Sequence, residues 1–158
     1  MNSETYRLRP KYHISPPYGL LNDPNGFVYF KGRYHLFYQW NPFETEHGRK
    51  YWAHLVSKDL INWSAVDDII IPDRDFDKDG VYSGTAIVEE DRLFIYFTGN
   101  VKDENNVRTP YQCMATMDSD GKITKCSKPI MEGALPGFTE HFRDPKLWYE
   151  KEKNAITC

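Results

Sequence analysis

The sequence predicts an all-β chain built from propeller blades, and two observations carry this prediction. Short runs of aromatic and β-branched residues alternate with turn residues, and no window shows a sustained helical stripe. The pattern also recurs, because Asp23, Ser83 and Asp144 follow one another at intervals of about sixty positions. A four-stranded unit with this period is typical of a β-propeller, and a β-sandwich with frequent hairpins is the alternative.

The first unit follows a polar, proline-bearing lead-in of about twenty residues. Phe27–Phe30 and Tyr34–Trp40 flank Lys31-Gly32, which is a hairpin signal between two predicted strands. Tyr51–Ser57 and Trp63–Ile71 are the third and fourth predicted strands. The unit therefore has the four strands of one propeller blade.

The second and third units begin in the same way, with two strands joined by a charged turn. The predicted strands are Thr85–Val88, Leu93–Gly99, Lys146–Tyr149 and Ala155–Thr157. Propellers close with about four to eight blades, and this chain holds roughly two and a half units. We therefore expect the N-terminal two to three blades of a longer propeller, incomplete at its C-terminus.

The stretch Asn22-Asp23-Pro24-Asn25-Gly26 is the most informative segment of the first unit. Proline fixes its own φ and favours an extended residue before it, and Asn-Gly tolerates a positive φ. The sequence therefore predicts that Asp23 lies on a stiff loop, with a strand beginning after Gly26. A simple surface turn is the alternative for these residues taken alone.

Equivalent positions of successive blades converge on the propeller axis, so Asp23, Ser83 and Asp144 are expected to lie together. Two carboxylates that converge are what glycoside hydrolysis requires. Arg143 precedes Asp144 and can hold it ionised or bind a sugar hydroxyl. Pro145 stiffens this corner as Pro24 stiffens the first.

The composition excludes several other classes of protein. The 158 residues carry a net charge of −3, without the basic stripe of a nucleic-acid-binding protein. No apolar run reaches membrane length, and the N-terminus shows no secretory signal. The three cysteines form no CxxC pair, and the histidines lack ligand spacing. We expect a cytoplasmic protein with free thiols, no metal or cofactor, no membrane and no nucleic-acid partner.

An acidic loop, Asp75–Gly80, imitates the start of a calcium loop. The twelfth position of that pattern is Ala86 rather than a glutamate, and strands follow instead of a helix. We therefore expect an acidic connection between blades, without calcium.

The chain resembles glycoside hydrolase family 32, the β-fructofuranosidase or invertase group with a five-bladed propeller. The likeness covers nearly everything from Tyr12 onward, and a few stretches are most similar to the bacterial sucrose-6-phosphate hydrolases. The motifs are Asn22–Gly26, Phe37–Pro42, Trp52–His54, Ser57–Trp63, Tyr82–Ala86, Phe97–Asn100 and Phe142–Pro145.

The resemblance implies that Asp23 is the nucleophile and Asp144 the transition-state stabiliser. It places Arg143, Asn22 and Gln39 against fructose hydroxyls. It also implies that Tyr82 and Ser83 line the same pocket. Trp52 is expected either to bind the sugar as a stacking platform or to belong to the core. Two departures stand out: His47 replaces a tryptophan found in many invertases, and the family's general-acid glutamate has no counterpart in these residues.

We therefore interpret residues 1–25 as a lead-in and nucleophile loop and residues 26–158 as a partial propeller domain. The expected reaction is retaining hydrolysis of terminal β-D-fructofuranosides, with sucrose, sucrose 6-phosphate or short fructans as ligands. The 158 residues alone are expected to be inactive, because the general acid is missing. A non-catalytic fructan-binding propeller and a fructosyltransferase are the alternatives.

Overall fold

The computed structural model describes residues 9–10 and 12–157, and these form eleven β-strands. The strands are β1 (Leu20–Phe30), β2 (Arg33–Asn41), β3 (Tyr51–Ser57), β4 (Trp63–Ile70), β5 (Val81–Glu89), β6 (Arg92–Lys102), β7 (Arg108–Met117), β8 (Ile123–Lys125), β9 (Met131–Glu132), β10 (Trp148–Glu150) and β11 (Ala155–Thr157).

Two antiparallel meanders make up most of the described chain. The first sheet has the order β1-β2-β3-β4, and the second has the order β5-β6-β7-β8, with β9 also paired to β7. A hairpin of β10 and β11 begins a third unit. The prediction of an all-β chain carrying the first two to three propeller blades is confirmed, because each sheet is one blade in sequence order.

Turn chemistry sets the hairpins where the sequence places them. Lys31 and Gly32 have φ of 46° and 79°, as a tight two-residue connection between β1 and β2 requires. In the β3–β4 turn, the Asp59 carboxylate accepts backbone N–H bonds from Ile61 at 2.9 Å and Asn62 at 2.7 Å. Leu60 there adopts a φ of 66°.

The prediction that Asp23 precedes the first strand is wrong. β1 begins at Leu20, and Pro24 and Asn25 pair with Tyr38 and Phe37 of β2. The register shifts between Leu21 and Pro24 and again between Asn25 and Val28. Two bulges therefore absorb the proline and the positive φ of Gly26, so the chain continues as a strand instead of reversing.

The core lies between the two large sheets. Its fully buried side chains come from both blades: Phe37, Trp52, Ile70, Val81, Leu93, Ile95, Phe97, Ala115 and Met117. Gly84 permits close approach of strands, because a Cβ there would lie 2.0 Å from the Tyr96 carbonyl oxygen. Its N–H donates to Asn25 Oδ1 at 3.2 Å, which ties β5 to β1.

Several expectations concern residues at the chain ends and the thiols. Residues 1–8 and 11 of the lead-in, together with Cys158, lie outside the described residues. Cys113 and Cys126 are free thiols, as expected. The boundary predicted at residue 25 stays a prediction, although residues 20–25 are part of β1. No helix with the length and apolarity to cross a membrane occurs in the described part of the chain.

Candidate active site

A pocket of about 650 Å³ lies where the starts of β1 and β5 approach each other. Asn22, Asp23 and Gln39 line it from the first sheet, and Tyr82 lines it from the second. Arg143 closes one side from the loop before β10. Five residues that the sequence predicts for the site are therefore brought to one cavity by three successive units of the chain.

Asp23 is held by a short hydrogen-bonded chain between the sheets. Ser83 Oγ donates to Asp23 Oδ2 at 2.9 Å, and Gln39 Nε2 donates to Ser83 Oγ at 3.0 Å. Gln39 and Ser83 are buried, with 5% and 9% of their surface exposed. Asp23 lines the pocket, and its Oδ1 has no hydrogen-bond partner among the described residues, so one carboxylate oxygen is held by Ser83 and the other is not.

The backbone beneath Asp23 is fixed as well. The bulge turns Asn25 inward, where its Nδ2 donates to the carbonyl oxygen of Asp23 at 2.9 Å. On the preceding residue, Asn22 Oδ1 is buried without a partner in the described structure. An unpaired buried acceptor costs free energy, so a hydroxyl donor from a ligand would satisfy it.

Asp144 lies on the loop before β10, in a left-handed conformation with φ of 65°. Its N–H donates to Thr98 Oγ1 at 3.0 Å, and that hydroxyl donates to Gln112 Oε1 at 3.1 Å. Gln112 Nε2 in turn donates to the carbonyl of Phe142 at 3.0 Å. Two polar residues of the second blade thus fix the loop that carries Asp144.

The electrostatics connect the two acids. Burial raises the pKa of Asp144, the neighbouring Arg143 lowers it, and the charge of Asp23 raises it again. Arg143 Nη1 lies 3.6 Å from Asp144 Oδ2. The charge of Asp23 therefore acts on Asp144, although Asp144 is not among the residues that line the pocket.

Trp52 does not line the pocket. Its side chain is 0% exposed and packs between Phe37 and Phe97, with ring centroids 5.8 and 6.2 Å away. Its Nε1 donates to the Tyr82 carbonyl at 3.1 Å. The prediction of a direct sugar contact is corrected here, because β3 turns this side chain into the core, where it supports the strand that carries Tyr82.

The sequence reasoning missed most of the basic residues at this site. Lys50, Arg49, Lys102 and Arg108 all line the pocket, although no motif of the sequence marks them as one group. His47, noted as a departure from the invertase pattern, lines it too. The sequence feature that could have indicated Arg49 and Lys50 is their position. They directly precede β3 and lie three and two residues before Trp52.

The described residues contain no group of three or more His, Cys, Asp or Glu side chains arranged to hold a metal ion. In the loop that imitates a calcium site, Asp77 is fully buried and forms an ion pair with Lys125. That carboxylate already has a cationic partner within the protein.

Comparison with known proteins identifies the arrangement. The family model of the glycosyl hydrolases family 32 N-terminal domain matches residues 13–158. The chain belongs to glycoside hydrolase family 32. A sucrose-6-phosphate hydrolase of Bacillus subtilis is 46% identical over 147 residues, and one of Vibrio alginolyticus is 52% identical over 139 residues.

Solved structures of family 32 proteins are also similar to this chain. A sucrose-6-phosphate hydrolase from Lactobacillus gasseri matches with a TM-score of 0.84 and 46% identity, covering 89% of this chain and 28% of that one. A variant of a Bombyx mori family 32 β-fructofuranosidase, solved in complex with sucrose, matches with a TM-score of 0.80 and 37% identity, covering 92% and 31%.

The matches cover most of this chain but a small part of each relative. They include 93% of this chain and 30% of the Bacillus subtilis protein, and 88% of this chain and 28% of the Vibrio alginolyticus protein. The chain therefore spans less than a third of the length of these relatives.

Proposed function

We propose that the protein takes part in hydrolysis of terminal β-D-fructofuranosides, with sucrose or sucrose 6-phosphate as substrate, by a retaining double displacement. The observation that carries the proposal is the Asp23 carboxylate, which lines the pocket with one oxygen held by Ser83 and the other without a partner among the described residues. Membership of a glycosidase family, with relatives named sucrose-6-phosphate hydrolase, supports the reaction class.

In the first step, Asp23 Oδ1 attacks the anomeric C2 of the fructosyl unit. The bond from C2 to the bridging oxygen breaks, and a proton donor supplies a proton to that oxygen as it leaves. In the second step, water attacks C2, loses a proton to the same group, and releases fructose and the free Asp23 carboxylate. The Ser83 hydroxyl orients Asp23 for both steps, since it holds the opposite oxygen.

Asp144 serves the transition state in this proposal. Positive charge develops on the sugar ring as the C2–oxygen bond breaks, so a fixed carboxylate nearby lowers the barrier. The hydrogen bonds that link Asp144, Thr98 and Gln112 hold the Asp144 backbone in place. This reduces reorganisation during the step. Arg143 favours the ionised form of Asp144 and lies where a sugar hydroxyl can reach it.

The proton donor is not assigned to a described residue. Asp79 is the other carboxylate that lines the pocket, and its Oδ2 accepts the Lys102 backbone N–H at 2.7 Å. The resemblance implies a glutamate as the donor, and none of the described carboxylates is assigned that role.

The test is steady-state kinetics of the complete protein that the gene encodes, with sucrose and sucrose 6-phosphate. Asp23→Asn keeps the size of the side chain and removes the nucleophilic charge, so kcat should fall by at least about a hundredfold. Asp120→Asn, an exposed change in the β7–β8 turn, is the matched control and should retain the wild-type rate.

A loss well below a hundredfold in Asp23→Asn would refute the nucleophile assignment. Product analysis separates the alternatives, since a fructosyltransferase would yield longer fructosides instead of free fructose. A wild-type protein that binds sucrose without releasing fructose would support the non-catalytic alternative.

A further inference from the structure

The lining of the active-site pocket is strongly cationic, although the chain as a whole is acidic. Five arginine and lysine side chains line the pocket, against the two carboxylates of Asp23 and Asp79. A neutral sugar needs hydroxyl-binding groups and does not need this excess of positive charge. The excess fits a ligand that carries a negative charge of its own.

Lys50 is the most unusual of these residues. It is 4% exposed, and its Nζ has no hydrogen-bond partner among the described residues. Burial lowers its pKa and the charge of Asp23 raises it, although the two residues form no ion pair in the described structure. A buried ammonium without a partner is destabilising, and three donor positions remain to be satisfied.

The position of Lys50 is fixed by the backbone. Its carbonyl accepts the N–H of Val81 at 2.8 Å, which joins the start of β3 to the start of β5. A Cβ on Gly80 would lie 3.0 Å from the Lys50 backbone nitrogen, so the two segments are in close contact. The backbone of Lys50 is therefore held at the junction of the two blades, and the residue lines the pocket.

Arg108 approaches the same pocket from the second sheet. Its guanidinium lies over the Tyr82 ring, 5.2 Å from the centroid, and its Nε is buried without a partner in the described structure. Nη1 donates to His141 Nδ1 at 3.4 Å. A guanidinium carries five N–H donors and suits an oxyanion, and in Arg108 the Nε donor has no partner in the described structure.

We propose that Lys50 and Arg108 form a subsite for the phosphate group of a phosphorylated fructoside, with Lys102 at its rim. The inference rests on the proposed hydrolase function and names the determinant of its substrate. A phosphate monoester supplies acceptors for both unpaired donors and neutralises their charge, which an uncharged disaccharide cannot do. Sucrose and sucrose 6-phosphate would then be discriminated at this subsite.

A different explanation is that Lys50 serves Asp23 alone. The two accounts differ in what they predict, because a residue that only tunes Asp23 affects every fructoside equally. The phosphate subsite affects the phosphorylated substrate selectively. The informative quantity is therefore the ratio of kcat/KM for sucrose 6-phosphate to kcat/KM for sucrose.

This ratio is measured for the complete protein and for Lys50→Met and Arg108→Gln. Each variant should lower the ratio at least about tenfold, as expected for the loss of one charge-assisted contact. Lys128→Met, at an exposed position that does not line the pocket, should leave the ratio unchanged. Circular dichroism and thermal unfolding confirm that each variant is folded. An unchanged ratio in a folded Lys50→Met protein would overturn the proposal.

A binding measurement keeps the subsite testable even where no hydrolysis occurs. Isothermal titration of the Asp23→Asn protein with sucrose 6-phosphate, sucrose and inorganic phosphate separates the ligand classes. Sucrose 6-phosphate should bind at least about tenfold more tightly than sucrose, and Lys50→Met in the same background should remove the difference. Equal affinity for the two sugars, or inorganic phosphate binding as tightly as the sugar phosphate, would overturn it.

Discussion

Acidification should lower the free energy of unfolding of this protein, because two histidines are buried on neighbouring strands. They are His35 of β2 and His54 of β3. His35 Nδ1 lies 2.9 Å from His54 Nε2. The outer nitrogens face the carbonyls of Phe30 and Asp68, each at 3.2 Å. Two neutral rings supply two N–H groups for these three contacts. Protonation of His54 places a positive charge in the core beside His35, which burial disfavours.

Burial and the neighbouring His35 lower the pKa of His54 from 6.5 to about 4, and burial also lowers the pKa of His35. An imidazole with a lowered pKa is protonated first in the unfolded chain. Its contribution to stability is complete above pH 6.5 and is lost as the pH falls towards 4. For His54 the loss relative to pH 7 is about 2 kcal/mol at pH 5 and about 3 kcal/mol at pH 4.

Urea unfolding followed by tryptophan fluorescence at pH 7 and pH 5 measures this effect. The free energy of unfolding of the wild type should fall by about 2 kcal/mol more than that of His54→Gln, which has no imidazole to protonate at this position. His13→Gln, at an exposed histidine, should follow the wild type. The same pH dependence in His54→Gln and in the wild type would refute the reasoning.

Three further predictions concern catalysis and stability. Asp144→Asn should lower kcat with little change in KM, because it acts on the transition state; a raised KM at constant kcat would contradict this role. Lys50→Met should raise the free energy of unfolding in urea by about 1 kcal/mol, since it removes a buried unpaired charge, and a loss of stability would count against that reason. The polypeptide of residues 1–158 alone should release no fructose from either sugar, and turnover at an ordinary rate would contradict the missing proton donor.

The repeating pattern of the sequence was sufficient to predict the blades. Strand periodicity and turn residues are local properties, so the hairpin at Lys31-Gly32 and the turn after Ser57 lie where the sequence places them. The spacing of about sixty residues also predicted that Asp23 and Ser83 would meet, and their side chains share a hydrogen bond. Equivalent positions of a repeat are superimposed by the architecture itself.

The form of β1 depended on tertiary structure. Pro24, Asn25 and Gly26 favour a turn when they are considered alone, yet pairing with β2 keeps them in a bulged strand. The free energy of strand pairing and of burying Asn25 and Gly26 against the second blade outweighs the local preference. Trp52 follows the same logic, because the direction of its side chain is set by which face of β3 meets the core.

The group of arginine and lysine side chains that lines the pocket is the clearest case of a feature that depends on the fold. Lys50 and Arg108 lie 58 positions apart, at the start of the third strand of successive blades, yet nothing in their local sequence predicts that both side chains line one pocket. They become neighbours of one cavity because β3 and β7 occupy the same position in successive repeats. The sequence by itself determined the strands and the repeat-equivalent acids, since both follow from local patterns. The packing of one blade against the next decided which charges are buried together, because burial and charge proximity are properties of contacts distant in sequence.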